Sequence, residues 1–199
     1  MFKVDERFPA FSLEAYDPKT NGVKKISLAN FKTKFLVLFF YPADFTFVCP
    51  TELADLKKRH EEIKKHNGEV VVVSTDTVFT HKAWIETEEL LKGLDFLMAA
   101  DHNGRLSREL GIYDEESGLA QRAAFIIAPD GILRAADITA DNIGRSAGEI
   151  LRKVKALNFV NMHKGMACPA SWDEGSATLT PSMKISGKVA NALKSKRKN

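Results

Sequence analysis

Only two of the 199 residues are cysteines, Cys49 and Cys168, and the first stands where a thiol is most easily put to work. It lies in YPADFTFVCPTE, residues 41–52, between a Pro-containing approach and the start of a helical pattern. A thiol attacks only as its thiolate, which is a small fraction of an ordinary cysteine at neutral pH. Pro50 fits the first position of a helix because the N–H it lacks is not needed there, so Cys49 is expected at the positive helix end among unpaired backbone N–H groups. Both features favour the anion. Thr46 can donate and accept hydrogen bonds, which suits it to bridge a thiolate and a hydroperoxide oxygen. Pro42 offers a rigid apolar wall without a donor, which narrows a pocket and limits water. The alternative is a small buried thiol beside residues that merely cap a helix. The ordered combination P-x-x-x-T-x-x-C, after a buried strand and opening a helix, argues against it.

The elements that must position these residues follow from periodicity. KFLVLFFY at 34–41 is almost wholly apolar, as expected for a strand buried on both faces. From Pro50 to His66 the spacing turns helical, with Leu53, Leu56 and Ile63 on one side and Asn67-Gly68 as a stop. EVVVVST at 69–75 is the next β-branched run, so strand, helix and strand form a parallel βαβ unit and the class is α/β. Residues 80–91 and 104–112 are expected to be helical, 123–128 and 132–137 to form a hairpin around Pro129-Asp130-Gly131, and 146–160 to be an amphipathic helix. Ser146 and Glu149 have capping-box spacing there. The expected organisation is one domain over 1–160 and an extended arm over 161–199, where ACPASWDEGSATLTPSM carries no core of its own.

Composition narrows the function classes. A net charge of +3 is too small to argue for a nucleic-acid partner, and it is local: the last six residues, KSKRKN, carry four positive charges, so the rest of the chain sums to about −1. That tail reads as a solvated end, although a Lys-rich terminus can also touch acidic surfaces or RNA. No run of about 18 apolar residues is present, so no membrane span is expected. The N-terminus MFKVDERFPA lacks the apolar stretch of a secretion signal, so the expected location is the cytoplasm. Two separated cysteines make neither a disulfide framework nor a zinc site, and no metal or cofactor is expected. The absence of C-x-x-C argues against a thioredoxin-like reductase. A cysteine protease would need a positioned histidine, and none of His60, His66, His81, His102 and His163 lies in a recognisable motif.

With Pro42, Thr46 and Cys49 in place, the sequence resembles the peroxiredoxins, specifically the typical two-cysteine group, over nearly the whole chain. The resemblance implies a thioredoxin-like fold with a central mixed sheet flanked by helices. It implies a thiol-dependent peroxidase that reduces hydrogen peroxide and organic hydroperoxides, with Cys49 as the peroxidatic cysteine. Arg122, in QRAAFIIAPDG, matches the family's arginine that holds thiolate and peroxide, and Glu52 matches the glutamate that orients it. A first-turn glutamate is also what a helix dipole selects. Trp84, in HKAW, matches a position lining the active-site region, where an amphipathic-helix tryptophan is commonly core.

ACPASW at 167–172 resembles the family's VCPAxW, with Ala167 in place of Val, and makes Cys168 the resolving cysteine. The implied partners are a hydroperoxide, a second copy joined through an intersubunit Cys49–Cys168 disulfide, a ring of five such dimers, and a protein thiol reductant, either a flavoprotein disulfide reductase or a thioredoxin. Family members prone to overoxidation carry a GGLG loop and a YF-containing C-terminal helix. Here the loop reads KGLD at 92–95 and no Tyr or Phe follows Phe159, so a comparatively oxidation-resistant enzyme is expected. The runner-up function is a redox-responsive oligomeric chaperone.

Overall fold

Residues 12–27 carry the first paired elements, Ser12–Asp17 (β1) and Gly22–Ser27 (β2), which close antiparallel over DPKTNG, where Asn21 takes the left-handed conformation. The computed structural model describes residues 2–195, so most of the Lys-rich tail, 196–199, lies outside the described residues. Contacts divide the chain into two compact units, one up to Ala147 and one from Gly148 onward.

The FLVLFF run forms Phe35–Phe40 (β3), buried along its full length as its composition demands. Cys49–Lys65 (α1) follows, ending at His66 with Asn67 in the left-handed conformation that stops a helix. Gly68–Ser74 (β4) then pairs parallel to β3, completing the expected βαβ unit with α1 lying against β4. Val78–Thr87 (α2) starts two residues earlier than the periodicity suggests, because the Thr77 hydroxyl accepts from the Thr80 N–H at 3.3 Å. It also ends earlier, since Glu88 is extended and its own side chain caps a separate short turn over Glu89–Leu91.

Leu97–Ala100 (β5) extends the parallel set beside β4, and its other edge pairs antiparallel with β1. The helix expected over 104–112 is only Arg105–Glu109 (α3), because Gly104 and Gly111, at φ 66° and 68°, bound it. A Cβ on Gly104 would come within 2.5 Å of the Tyr113 ring. A small hairpin, Tyr113–Asp114 (β6) with Leu119–Ala120 (β7), leads into Arg122–Ile127 (β8), which pairs antiparallel with β3 and with Leu133–Thr139 (β9). The result is a mixed sheet of seven strands in the order β2-β1-β5-β4-β3-β8-β9. Alternate side chains divide between its faces: Leu36, Leu38 and Phe40 join one buried cluster with Val71, Val73 and Phe125.

The second unit holds most of Ala147–Met162 (α4), an arm, and Val189–Ser195 (α5). Ala167 and Leu179 form an isolated antiparallel bridge, the Phe159 ring lies 4.9 Å from that of Trp172, and Lys155 pairs with Asp173 at 3.2 Å.

One ionic cluster ties the far half of α1 to the sheet. His60 is buried, with Nδ1 2.5 Å from Asp95 and Nε2 3.6 Å from Glu69, while Lys34 bonds Glu69 at 2.6 Å. Burial alone would raise the Glu69 pKa, but His60 and Lys34 outweigh it and hold the carboxyl at about 2, below the ordinary 4.5. A depressed carboxyl stabilises the fold above its unfolded value and loses that contribution as pH falls through its folded one. Urea midpoints should therefore drop between pH 4.5 and about 2, and Glu69→Gln should flatten that drop. An unchanged pH profile in the variant would refute this assignment.

Candidate active site

Cys49 is the first residue of α1 and is fully buried. Val48 before it has helical backbone angles and offers no capping side chain, and its carbonyl accepts from the Thr51 and Glu52 N–H groups at 3.0 and 3.2 Å, closing the first turn around the sulfur. Pro50 occupies the first turn, as its missing donor permits. The nearest fixed charge comes from the start of β8, where the Arg122 Nη1 donates to Cys49 Sγ at 3.2 Å.

The same Nη1 donates to Glu52 Oε2 at 2.7 Å, and Arg122 Nε donates to the Asp141 carbonyl at 2.6 Å. Thus Cys49, Glu52 and Arg122, picked out in sequence, meet in one buried group. Burial disfavours the Arg122 cation, but its hydrogen bond to Cys49 and the charges of Cys49 and Glu52 outweigh this and raise its pKa. The Asp141 carboxylate approaches Arg122 Nη2 at 3.4 Å but is 83% exposed, where solvent screens it.

A second arginine, which the sequence reading missed, completes the group. Glu52 Oε1 accepts from the Arg145 backbone N–H at 2.8 Å and from its Nε at 2.9 Å, and Oε2 accepts from Nη2 at 3.2 Å. Arg145 also donates to the Phe40 carbonyl at 2.8 Å, and its guanidinium lies 3.5 Å over the Phe39 ring. Burial lowers the Arg145 pKa against the opposing pull of Glu52. Gly144, just before Arg145, runs close to α1: a Cβ there would meet Val48 at 3.2 Å, a tight contact, and Glu52 at 3.5 Å, an ordinary one.

Pro42 is buried, and Thr46 is half-buried in the loop between β3 and α1. The Thr46 hydroxyl donates to the Ala43 carbonyl at 2.8 Å, and no hydrogen bond among the described residues joins it to Cys49. With its proton so committed, the hydroxyl offers lone pairs, suited to accept from a hydroperoxide O–H. Phe45 in the same loop has φ 55°, a left-handed conformation for a bulky residue. Trp84 on α2 is buried, its ring 5.8 Å from that of Tyr41 and 6.3 Å from that of Phe45, so it packs under this loop.

Cys168 belongs to the second unit. It is half-buried, with Sγ 3.9 Å from the Ala156 carbonyl, and burial raises its thiol pKa against the attraction of Arg152. Among the described residues one group has the makings of a cation site, His60, Glu61 and Asp95, but the ammoniums of Lys64 and Lys19 already sit 3.1 Å from Asp95.

Residues 4–136 match the AhpC/TSA family. The chain belongs to that family. It is 43% identical to the alkyl hydroperoxide reductase C of Staphylococcus epidermidis over 189 residues, 95% of this chain and all of the relative, and 41% identical to that of Staphylococcus aureus over the same span. Among solved structures it resembles the AhpC of Enterococcus faecalis, with a TM-score of 0.79 at 38% identity over 85% of this chain and all of that one. It also resembles the reduced two-cysteine peroxiredoxin of Plasmodium vivax, with a TM-score of 0.89 at 29% identity over 96% of this chain and all of that one. Its seven-stranded mixed sheet is thus the thioredoxin-like fold of the peroxiredoxins.

Within this AhpC/TSA chain the buried charge group allows a direct test. Glu52→Gln would leave two buried guanidiniums without their counter-charge, and breaking such a pair costs about 3–5 kcal/mol. Urea unfolding should register a loss of that size. A change below about 1 kcal/mol would mean that the two arginines find other partners.

Proposed function

We propose that this chain is a peroxidase that reduces hydroperoxides through Cys49 and is recycled by a thiol reductant. The observation that carries the reading is the Arg122 guanidinium donating to the buried Cys49 sulfur at a helix N-terminus. Family membership supports the reaction class. The redox-responsive chaperone reading has no comparable support.

In this reading the Cys49 thiolate attacks the terminal oxygen of the hydroperoxide, the O–O bond breaks, and the departing alkoxide or hydroxide takes a proton to leave as alcohol or water. Cys49 becomes a sulfenic acid. Arg122 stabilises the charge shared by sulfur and peroxide, Glu52 fixes Arg122 and Arg145, Thr46 accepts from the peroxide O–H, and Pro42 limits water. The Cys168 thiol of a second copy then displaces hydroxide from the sulfenic sulfur, forming a disulfide and water. Cys49 is fully buried, so this step requires the first turn of α1 to unwind. The bonds to break include those from the Thr51 and Glu52 N–H groups to the Val48 carbonyl, at 3.0 and 3.2 Å. Each is worth about 0.5–1.5 kcal/mol net.

The intersubunit pairing makes the working unit a homodimer. β9 ends the sheet, and Ile138 on it is 46% exposed, an open edge of the kind that a second copy can pair with. The further assembly into a ring of five dimers, a flavoprotein disulfide reductase or thioredoxin as reductant, and a cytoplasmic setting complete the proposal. No helix among the described residues is long and apolar enough to cross a membrane.

Cys49→Ser should abolish peroxide consumption. Cys168→Ser should consume about one peroxide per active site and then stop, because the sulfenic acid has no resolving partner. Steady turnover by Cys168→Ser with a protein reductant would refute the resolving role. Mass analysis of the Cys49 peptide after excess peroxide should show disulfide outweighing sulfinic acid, and early, near-complete sulfinylation would contradict the expected resistance.

A further inference from the structure

The loop that carries Pro42 and Thr46 is held from behind by a buried hydrogen-bonded chain that the reaction itself does not use. Tyr41, directly after β3, donates its phenol proton to Asp44 Oδ1 at 2.6 Å. Asp44 Oδ2 lies 2.8 Å from His81 Nδ1 on α2, and His81 Nε2 lies 3.2 Å from the Ala99 carbonyl on β5. The Asp44 N–H donates to Asp76 Oδ2 at 2.8 Å, and Ser74 donates to the same oxygen at 2.7 Å. Tyr41 and His81 are fully buried and Asp44 nearly so.

Proton counting fixes how this chain can be wired. The Ala99 carbonyl can only accept, so His81 Nε2 carries a hydrogen. Between Asp44 Oδ2 and His81 Nδ1 one proton is shared, giving either carboxylate and imidazolium or carboxylic acid and neutral imidazole. Burial, the largest influence, raises the Asp44 pKa against the pull of His81. In both forms every polar atom of the triad has a partner. A fully satisfied buried network rigidifies what it touches, and here it touches the loop in which Phe45 is held at φ 55°.

We propose that Tyr41, Asp44 and His81 are positioning residues for the peroxide step. They clamp the loop over residues 42–46 to α2 and β5, so that Thr46 and Pro42 stay placed while only the turn beginning at Cys49 moves. The inference rests on Cys49 as the peroxide-reactive thiol.

The two half-reactions separate it from a merely structural role. In stopped-flow fluorescence, peroxide attack has a rate proportional to peroxide concentration, and disulfide formation does not. Asp44→Ala removes the carboxylate between the Tyr41 hydroxyl and His81 Nδ1 and leaves them only their long mutual contact at 3.4 Å, with the tie to the loop backbone lost. It should slow the first phase by about tenfold to a hundredfold, as misplacement of a reacting group does, with the second phase unchanged or faster. Asp44→Asn satisfies the whole chain without a shared proton: its oxygen accepts from Tyr41, its amide donates to Nδ1 of neutral His81, and Nε2–H still reaches Ala99. It should restore the first phase to within about threefold. Tyr41→Phe, which removes one hydroxyl, should slow the first phase severalfold and covers the case in which Asp44→Ala does not fold. Wild-type first-phase rates in Asp44→Ala or Tyr41→Phe, equal slowing of both phases, or failure of Asp44→Asn to rescue would each overturn the clamp. A wild-type protein whose Cys49 does not react with peroxide would instead sink the reading beneath it, and the clamp with it.

Discussion

The site depends on one buried carboxylate between two buried guanidiniums. Glu52 accepts from Arg122 once and from Arg145 three times. Two cations against one anion leave a single uncompensated positive charge in a region with almost no solvent. Isolated buried charge is costly, and the group placed to complete the balance is the sulfur of Cys49, 3.2 Å from Arg122. The helix end adds its partial positive charge at the same point. The full charge of Arg122, 3.2 Å from the sulfur, is a stronger local attraction for negative charge than the partial charge of the helix end.

Satisfying Glu52 also dictates how distant segments meet. Its partners come from the start of β8 and from the turn before α4, so α1 must arrive with its first turn against both. Gly144 eases this approach, since a Cβ there would press on Val48 at 3.2 Å. Asp55, one turn further along α1, accepts from the Ala147 N–H at 2.9 Å and fixes the same turn a second time. The sheet supplies the rigid frame: β3 is buried end to end, and its last carbonyl, on Phe40, receives Arg145.

Much of this was legible in the sequence. The β3 and β4 runs, the helix opening at Cys49 and the grouping of Cys49 with Arg122 follow from apolar continuity, from Pro50 and from motif resemblance. Arg145 was not legible, because an arginine after a glycine in a turn has no local signature and its partner lies 93 positions away. The Tyr41–Asp44–His81 chain escaped notice for the same reason: Asp44 resembles an ordinary loop residue, and only tertiary structure brings α2 behind it. β5 and the β1–β2 pairing were also missed, since short strands with mixed faces lack the continuous apolar signal of β3. Helix ends shifted where a cap or a left-handed glycine overrode periodicity, as at Thr77, Gly104 and Gly111.

The same charge balance links chemistry to movement under the proposed cycle. Oxidation of the Cys49 thiolate to a neutral sulfenic acid removes the anion that balanced Arg122 and Arg145, and the buried positive charge is again uncompensated. The folded turn loses its strongest reason to keep the sulfur where it is. Against that loss stand the first-turn hydrogen bonds, each worth about 0.5–1.5 kcal/mol net, while an unpaired buried charge can cost several kcal/mol. The two are comparable, so a turn stable with a thiolate becomes marginal once the thiolate is oxidised. In that cycle unwinding is favoured only after peroxide has reacted, and Cys49 stays buried until then. A loop clamped independently of that charge, at Asp44 and His81, can remain in place through the change.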